Sequence, residues 1–181
     1  PQNSHDLGSE RGLSDLHVKH RFTLSGTYNL PYLGGWQLQV TGLFQSGTPL
    51  SAILGTDVSG TGSPIVNRPD LVADTRVDNP TPSRFFNTDA FSVPDFGRFG
   101  TSGRNVIIGP GLANVDLSIA KVFSVSDRVR AQFRIDFYNV SNHPNFIAPP
   151  TTQNFADSPD FGALFVARSP RIIQIGLRVL W

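Results

Sequence analysis

Apolar and polar residues alternate with period two in five stretches of the chain, the pattern of strands whose two faces meet unlike surroundings. The first sets Phe22, Leu24, Gly26, Tyr28 and Leu30 against Arg21, Thr23, Ser25, Thr27 and Asn29. The second sets Trp36, Leu38, Val40, Gly42 and Phe44 against Gln37, Gln39, Thr41 and Gln45, with Leu43 as the exception. In the third, Val115, Leu117, Ile119 and Phe123 oppose Asn114, Asp116 and Ser118, and Lys121 interrupts the apolar side. The fourth is the cleanest, with Val129, Ala131, Phe133, Ile135 and Phe137 against Arg128, Arg130, Gln132, Arg134 and Asp136. The fifth carries Ile173, Ile175, Leu177, Val179 and Trp181 against Gln174, Gly176 and Arg178. Strands are therefore expected near residues 20–30, 36–47, 112–123, 128–139 and 171–181.

These runs are closer to the ~9–11 residues of a tilted membrane-spanning strand than to the ~5–6 of a typical globular strand. Alternation alone also suits a half-buried soluble sheet, so the connections carry the distinction. Runs one and two are joined by Pro31–Gly35, and runs three and four by Ser124–Asp127, both hairpin turns. The other connections, 49–111 and 140–170, are long loops. Short turns alternating with long loops are the asymmetry of an outer-membrane barrel, with the short turns periplasmic and the long loops extracellular. Tyr32, Trp36, Phe123 and Trp181 then gather at the periplasmic boundary, where an aromatic girdle belongs. Arg21, Arg128, Arg130, Arg134, Asp136 and Arg178 fall on the opposite face; the last five are the candidate lumen-lining residues, because charge facing lipid is costly. The fold expected is all-β: antiparallel up-and-down strands forming part of a transmembrane barrel.

Composition narrows the function. The chain has 181 residues, 39% hydrophobic and 16% charged, with a formal net charge of +1, which excludes a charged disordered tail and shows no excess suited to nucleic acid. Gly 17 and Pro 14 account for abundant turns. With no Cys, disulfide frameworks, thiolate metal sites and cysteine nucleophiles fall away together. With no Met and a start at Pro1, the chain reads as a processed product or a piece of something longer. No stretch approaches the ~20 apolar residues of a membrane helix, and no apolar leader follows Pro1.

Candidate chemistry is sparse. His17 and His20 are three apart but precede an extended segment and lack Cys or clustered carboxylate partners; with His5 they read as loop residues, and His143 as part of a structural turn before Pro144. Asp57, Asp70, Asp74, Asp78, Asp89 and Asp95 lack EF-hand spacing and read as hydrated loop carboxylates. Gly97, Gly100 and Gly103 match no phosphate-binding fingerprint and read as sharp turns. Asn139-Val140-Ser141 matches the N-glycosylation triplet by chance. No Gly-x-Ser-x-Gly elbow occurs and Glu10 is the only Glu, so no catalytic residue, metal site or cofactor is assigned and an enzyme is not expected. Arg130 and Arg134 could line a permeation path or draw an anionic ligand.

HRFTLSGTYNLP (20–31), NRPDLV (67–72), FFNTDAF (85–91), GRNVIIGPGLANVDLSIAKVF (103–123), FYNVSNHPNF (137–146) and SPRIIQIGLRVLW (169–181) together resemble the C-terminal barrel end of TonB-dependent receptors of the Oar-like group. That resemblance implies a barrel of about 22 strands around a plug, in the outer membrane of a Gram-negative-type cell. It implies partners in outer-membrane lipid, the barrel-assembly machinery, an unidentified transported ligand, and a TonB complex reached through N-terminal parts outside this sequence. It also implies that Leu177, Val179 and Trp181 serve as the barrel-assembly signal. Two other readings stand beside it: an outer-membrane barrel for adhesion or surface display, and a soluble β-sandwich binding module.

Overall fold

The computed structural model describes residues 1–31, 34–63, 67–150 and 154–181. In chain order the strands are β1 (Arg21–Leu30), β2 (Trp36–Gln45), β3 (Pro49–Leu50), β4 (Asp70–Leu71), β5 (Phe91–Ser92), β6 (Ile107–Ile108), β7 (Leu112–Ser124), β8 (Arg130–Tyr138), β9 (Phe146–Ile147), β10 (Val166–Ala167) and β11 (Ile172–Leu180). They divide between two compact units.

The first unit is one five-stranded antiparallel sheet in the order β1-β2-β7-β8-β11, so long strands consecutive in the chain are neighbours in space. Its registers keep every apolar alternation in phase. Tyr28, Leu38, Ile119, Ile135 and Ile175 form one cross-strand row, and Gly26, Val40, Leu117, Phe137 and Ile173 the row beside it. The opposite face carries Thr27, Gln39, Ser118, Asp136 and Gln174 in the matching row. A one-residue slip at any pairing would move a whole apolar set to the polar face, which is what pins the register. The apolar face is bare: Phe22 is 60% exposed, Ile175 68% and Leu177 72%. A surface of that kind is stable in hydrocarbon and a liability in water. Among the described residues, β1 and β11 each pair on one side only, so this sheet is open.

Both hairpins turn through five residues. In 31–35, Tyr32, expected in the aromatic girdle, lies outside the described residues. Gly34 (φ 66°) and Gly35 (φ 77°) take the left-handed conformation that glycine adopts without penalty. In the other turn the Val125 N–H donates to Val129 O (2.8 Å) and the Val129 N–H to Ser126 O (3.4 Å). That closure delays β8 to Arg130, two residues later than the alternation indicates, so Arg128 belongs to an exposed turn and not to the sheet face.

The second unit gathers Pro1–Lys19, Gly47–Gly111 and Phe146–Ala167. Most of the long loops expected at 49–111 and 140–170 lie in this unit and carry a core of their own. Leu50, Ala52, Phe86 and Ile107 make a buried cluster, flanked by Phe85, Phe91, Val106, Ala148 and Phe161. Phe86, Phe91 and Phe161 meet edge to face with centroids 5.0–6.1 Å apart, the arrangement the aromatic quadrupole favours. Short ladders β3–β6, β4–β5 and β9–β10 hold the segments together. No run in these segments has a strand-length period, because each contributes only a few residues to the core.

Candidate functional site: the polar face of the sheet and the polar hubs

On the polar face β7 and β8 bring three predicted or adjacent groups together. The Arg134 Nε donates to both Asp136 oxygens (2.8 and 2.9 Å), its terminal nitrogen to Ser118 Oγ (3.2 Å), and the Ser118 hydroxyl to Asp136. Asp136 is thereby held between a guanidinium and a hydroxyl, a charge-assisted contact across the polar face. Arg130 and Arg178 lie on the same face, two and one rows nearer the β7–β8 turn than Arg134, and both are exposed. Leu177 and Val179 point from the apolar face, while Trp181 follows the end of β11 and is 93% exposed.

A second polar constellation was not singled out in the sequence. Asp116 accepts from the Asn114 amide (2.8 Å) and the Asn139 N–H (2.9 Å). Asn139 and Asn142 sit at φ 49° and 51°, left-handed positions that Asn tolerates better than most side chains. Asn139 is 4% exposed, its Oδ1 accepts the His143 N–H (3.0 Å) and its Nδ2 donates to His143 O (2.9 Å). The glycosylation triplet is therefore a structural turn. Asn145 carries the turn further: its Oδ1 accepts the Ala113 N–H (2.8 Å) and its Nδ2 donates to Ala113 O (3.0 Å). One side chain thus imitates a strand partner for β7 where β8 has ended. The Arg168 N–H donates to Asn145 O (2.8 Å) and the Arg171 N–H to Asn142 Oδ1 (2.9 Å), so the same turn receives the chain entering β11. A cleft of about 310 Å³ opens here on the polar face, lined by Asn114, Asp116, Tyr138, Asn145 and Arg168 among others. Three Asn at spacings of three, each near a turn, was the available signal.

In the second unit, two of the carboxylates expected to be hydrated loop groups are structural. Asp70 is 8% exposed and holds Arg98 through both oxygens as well as the Thr101 N–H (3.0 Å). The Arg98 hydrogen bonds, helped by the Thr101 N–H and opposed by burial, keep its carboxyl below the ordinary Asp range. For Asp57 burial pushes upward, but the Gly62 and Thr61 N–H groups, the Ser59 hydroxyl and the Asn67 amide together bring the carboxyl below its ordinary value. Glu10 meets Arg68 bidentately (2.9 and 3.0 Å), and that contact lowers its carboxyl in turn. Arg68 also donates from Nε to Ser102 O (2.9 Å), and its N–H reaches the Gln2 side chain (2.6 Å). Asn67, Arg68 and Asp70 of the NRPDLV segment are therefore buried polar anchors, while Leu71 and Val72 are exposed. Gly100 is needed beside it, because an added Cβ would lie 2.0 Å from Arg68 O. A groove of about 470 Å³ runs between Leu71, Thr75, Val77, Phe85, Phe86 and Ile107. Among the described residues no three His, Cys, Asp or Glu side chains converge as a metal site requires, and no helix is long and apolar enough to cross a membrane.

Long antiparallel strands with one bare apolar face and one charged face define a class: the wall of a membrane-spanning β-barrel. A family model described as an outer membrane beta barrel domain matches residues 1–174, and the chain belongs to that family. No curated protein and no solved structure gives a significant match. The membership replaces the soluble β-sandwich alternative and places the chain with the outer-membrane proteins.

Proposed function

We propose that this chain is part of the barrel wall of a TonB-dependent, Oar-like outer-membrane receptor, which takes up a ligand and catalyses no reaction. The observation that carries the reading is the polar face of the sheet: a continuous row of Thr27, Gln39, Ser118, Asp136 and Gln174, with Arg134 beside it, on the face opposite the apolar one. Such a face suits a wet interior that a solute crosses or a plug fills. The Oar-like segments at 67–72, 85–91 and 137–146 supply the resemblance on which the TonB-dependent part rests. In this reading Leu177, Val179 and Trp181 present the assembly signal, and Arg130, Arg134, Asp136 and Arg178 line the interior. The cell is Gram-negative in type, and the TonB complex and barrel-assembly machinery are partners.

The test compares cells of the source type that carry the protein, lack it, or carry it without a functional TonB, by profiling which solutes each depletes from the medium. A solute depleted only when both protein and TonB are present is the expected result. Depletion that persists without TonB refutes energised uptake. Surface attachment lost with the protein, with no change in solute depletion, would favour the adhesion reading.

A further inference from the structure

Lys121 is the only charged side chain on the apolar face of the sheet among the described residues. It pairs with Trp36 across β2–β7 and shares a row with Leu30, Phe133 and Leu177. A lysine at the centre of a bilayer costs about 2–4 kcal/mol and near the interface about 0–1, so its depth matters. From Ala113 to Phe123, β7 rises about 33 Å at ~3.3 Å per residue; tilted by ~35–45°, that is about 25 Å of membrane normal, the height of a barrel's apolar band. Lys121 then lies roughly 5 Å inside the edge of the band on the hairpin-turn side.

The side chain points out of the band. Its Nζ stands 5.0 Å from the centroid of Phe123, which is nearer the turn, and 5.3 Å from that of Trp36. An added Cβ on Gly34, in the β1–β2 turn, would come within 3.3 Å of Nζ. The methylene stem covers apolar surface while the ammonium is delivered toward the polar rim, between two aromatic faces that favour a cation. No ion pair among the described residues uses Lys121. The ammonium is therefore held, by rings and not by a carboxylate, at the level where lipid phosphates lie.

We infer that Lys121, flanked by Trp36 and Phe123, is a binding site for the phosphate of an anionic phospholipid headgroup at the hairpin-turn rim of the barrel. The site rests on the family membership and the geometry of the sheet, independently of whether the barrel transports. An inorganic phosphate offers the same oxygens but no acyl chains to lie against Leu177, Phe133 and Trp36.

The test uses the intact protein in vesicles of phosphatidylcholine mixed with phosphatidylglycerol, with retained lipids counted by native mass spectrometry. Wild type should keep phosphatidylglycerol over phosphatidylcholine by about fivefold, the equivalent of about 1 kcal/mol for one lysine near an anionic surface. Lys121→Gln should abolish the preference and Lys121→Arg preserve it, with folding verified by heat-modifiable gel migration. Equal retention of the two lipids by wild type overturns the inference without reference to any variant. So does a preference unchanged in Lys121→Gln, or displacement of the lipid by millimolar inorganic phosphate.

Discussion

Asn145→Ala removes the side chain that substitutes for a strand. Wild-type Asn145 is 3% exposed and makes two hydrogen bonds to one residue, accepting from Ala113 N–H at 2.8 Å and donating to Ala113 O at 3.0 Å. Each bond contributes about 1 kcal/mol net, and a buried backbone group left unpaired costs about 1–3 kcal/mol. Two bonds lost, with Ala113 partly shielded from water, give an expected destabilisation of about 2–4 kcal/mol. Asn145→Asp isolates the donor. It keeps an acceptor for the Ala113 N–H but sets a carboxylate against Ala113 O and His143 O, which raises its pKa in the folded state. Relative to wild type at the same pH, the Asp variant should therefore be most destabilised at neutral pH, and the gap should narrow as pH falls and the acid protonates. The assay is urea unfolding of the intact protein in lipid vesicles, followed by tryptophan fluorescence at neutral and at acidic pH. A loss below about 0.5 kcal/mol for Asn145→Ala, the range of an ordinary surface change, would refute the strand-mimic argument.

The remaining expectations concern both units. Arg68→Ala leaves the Glu10 carboxylate, 15% exposed, without its partner, and should cost about 3–5 kcal/mol in chemical denaturation; removing both charges as Arg68→Met with Glu10→Gln should recover most of it. Glu10 and Asp70 are held below their ordinary range by arginine contacts, so their stabilisation is complete above the unfolded values of about 4 and disappears as pH falls through the lower folded ones; the protection of the amides of residues 67–72, measured against the intrinsic exchange rate at each pH, should fall only on that acid side. Gly100→Ala drives a Cβ toward Arg68 O and Pro69 O, which are backbone and cannot swing aside, and should cost about 1–3 kcal/mol or more in the same denaturation assay. Ile175→Arg on the apolar face should reduce stability in vesicles by about 2–4 kcal/mol while the neighbouring Gln174→Arg changes little; the reverse order would mean the faces are assigned the wrong way round, and equal effects that the two faces do not meet lipid and water.

Period-two alternation determined by itself that Phe22 to Leu30, Trp36 to Phe44 and Ile173 to Val179 are strands and which side of each is apolar, because side chains alternate within a strand whatever it pairs with. The short turns settled the β1–β2 and β7–β8 pairings for a similar local reason. The exact start of β8 escaped, and with it the place of Arg128, because a five-residue closure between Val125 and Val129 outweighs the alternation that continues through it. The up-and-down order already made β2 and β7, and β8 and β11, neighbours, but their registers join residues far apart in the chain, and only the folded sheet decides those. The same holds for Asn145 against Ala113, Arg68 between Glu10 and Ser102, and Lys121 between Trp36 and Phe123. A face is a property of neighbouring residues; a partner is a property of where distant segments come to lie, and no local period encodes that.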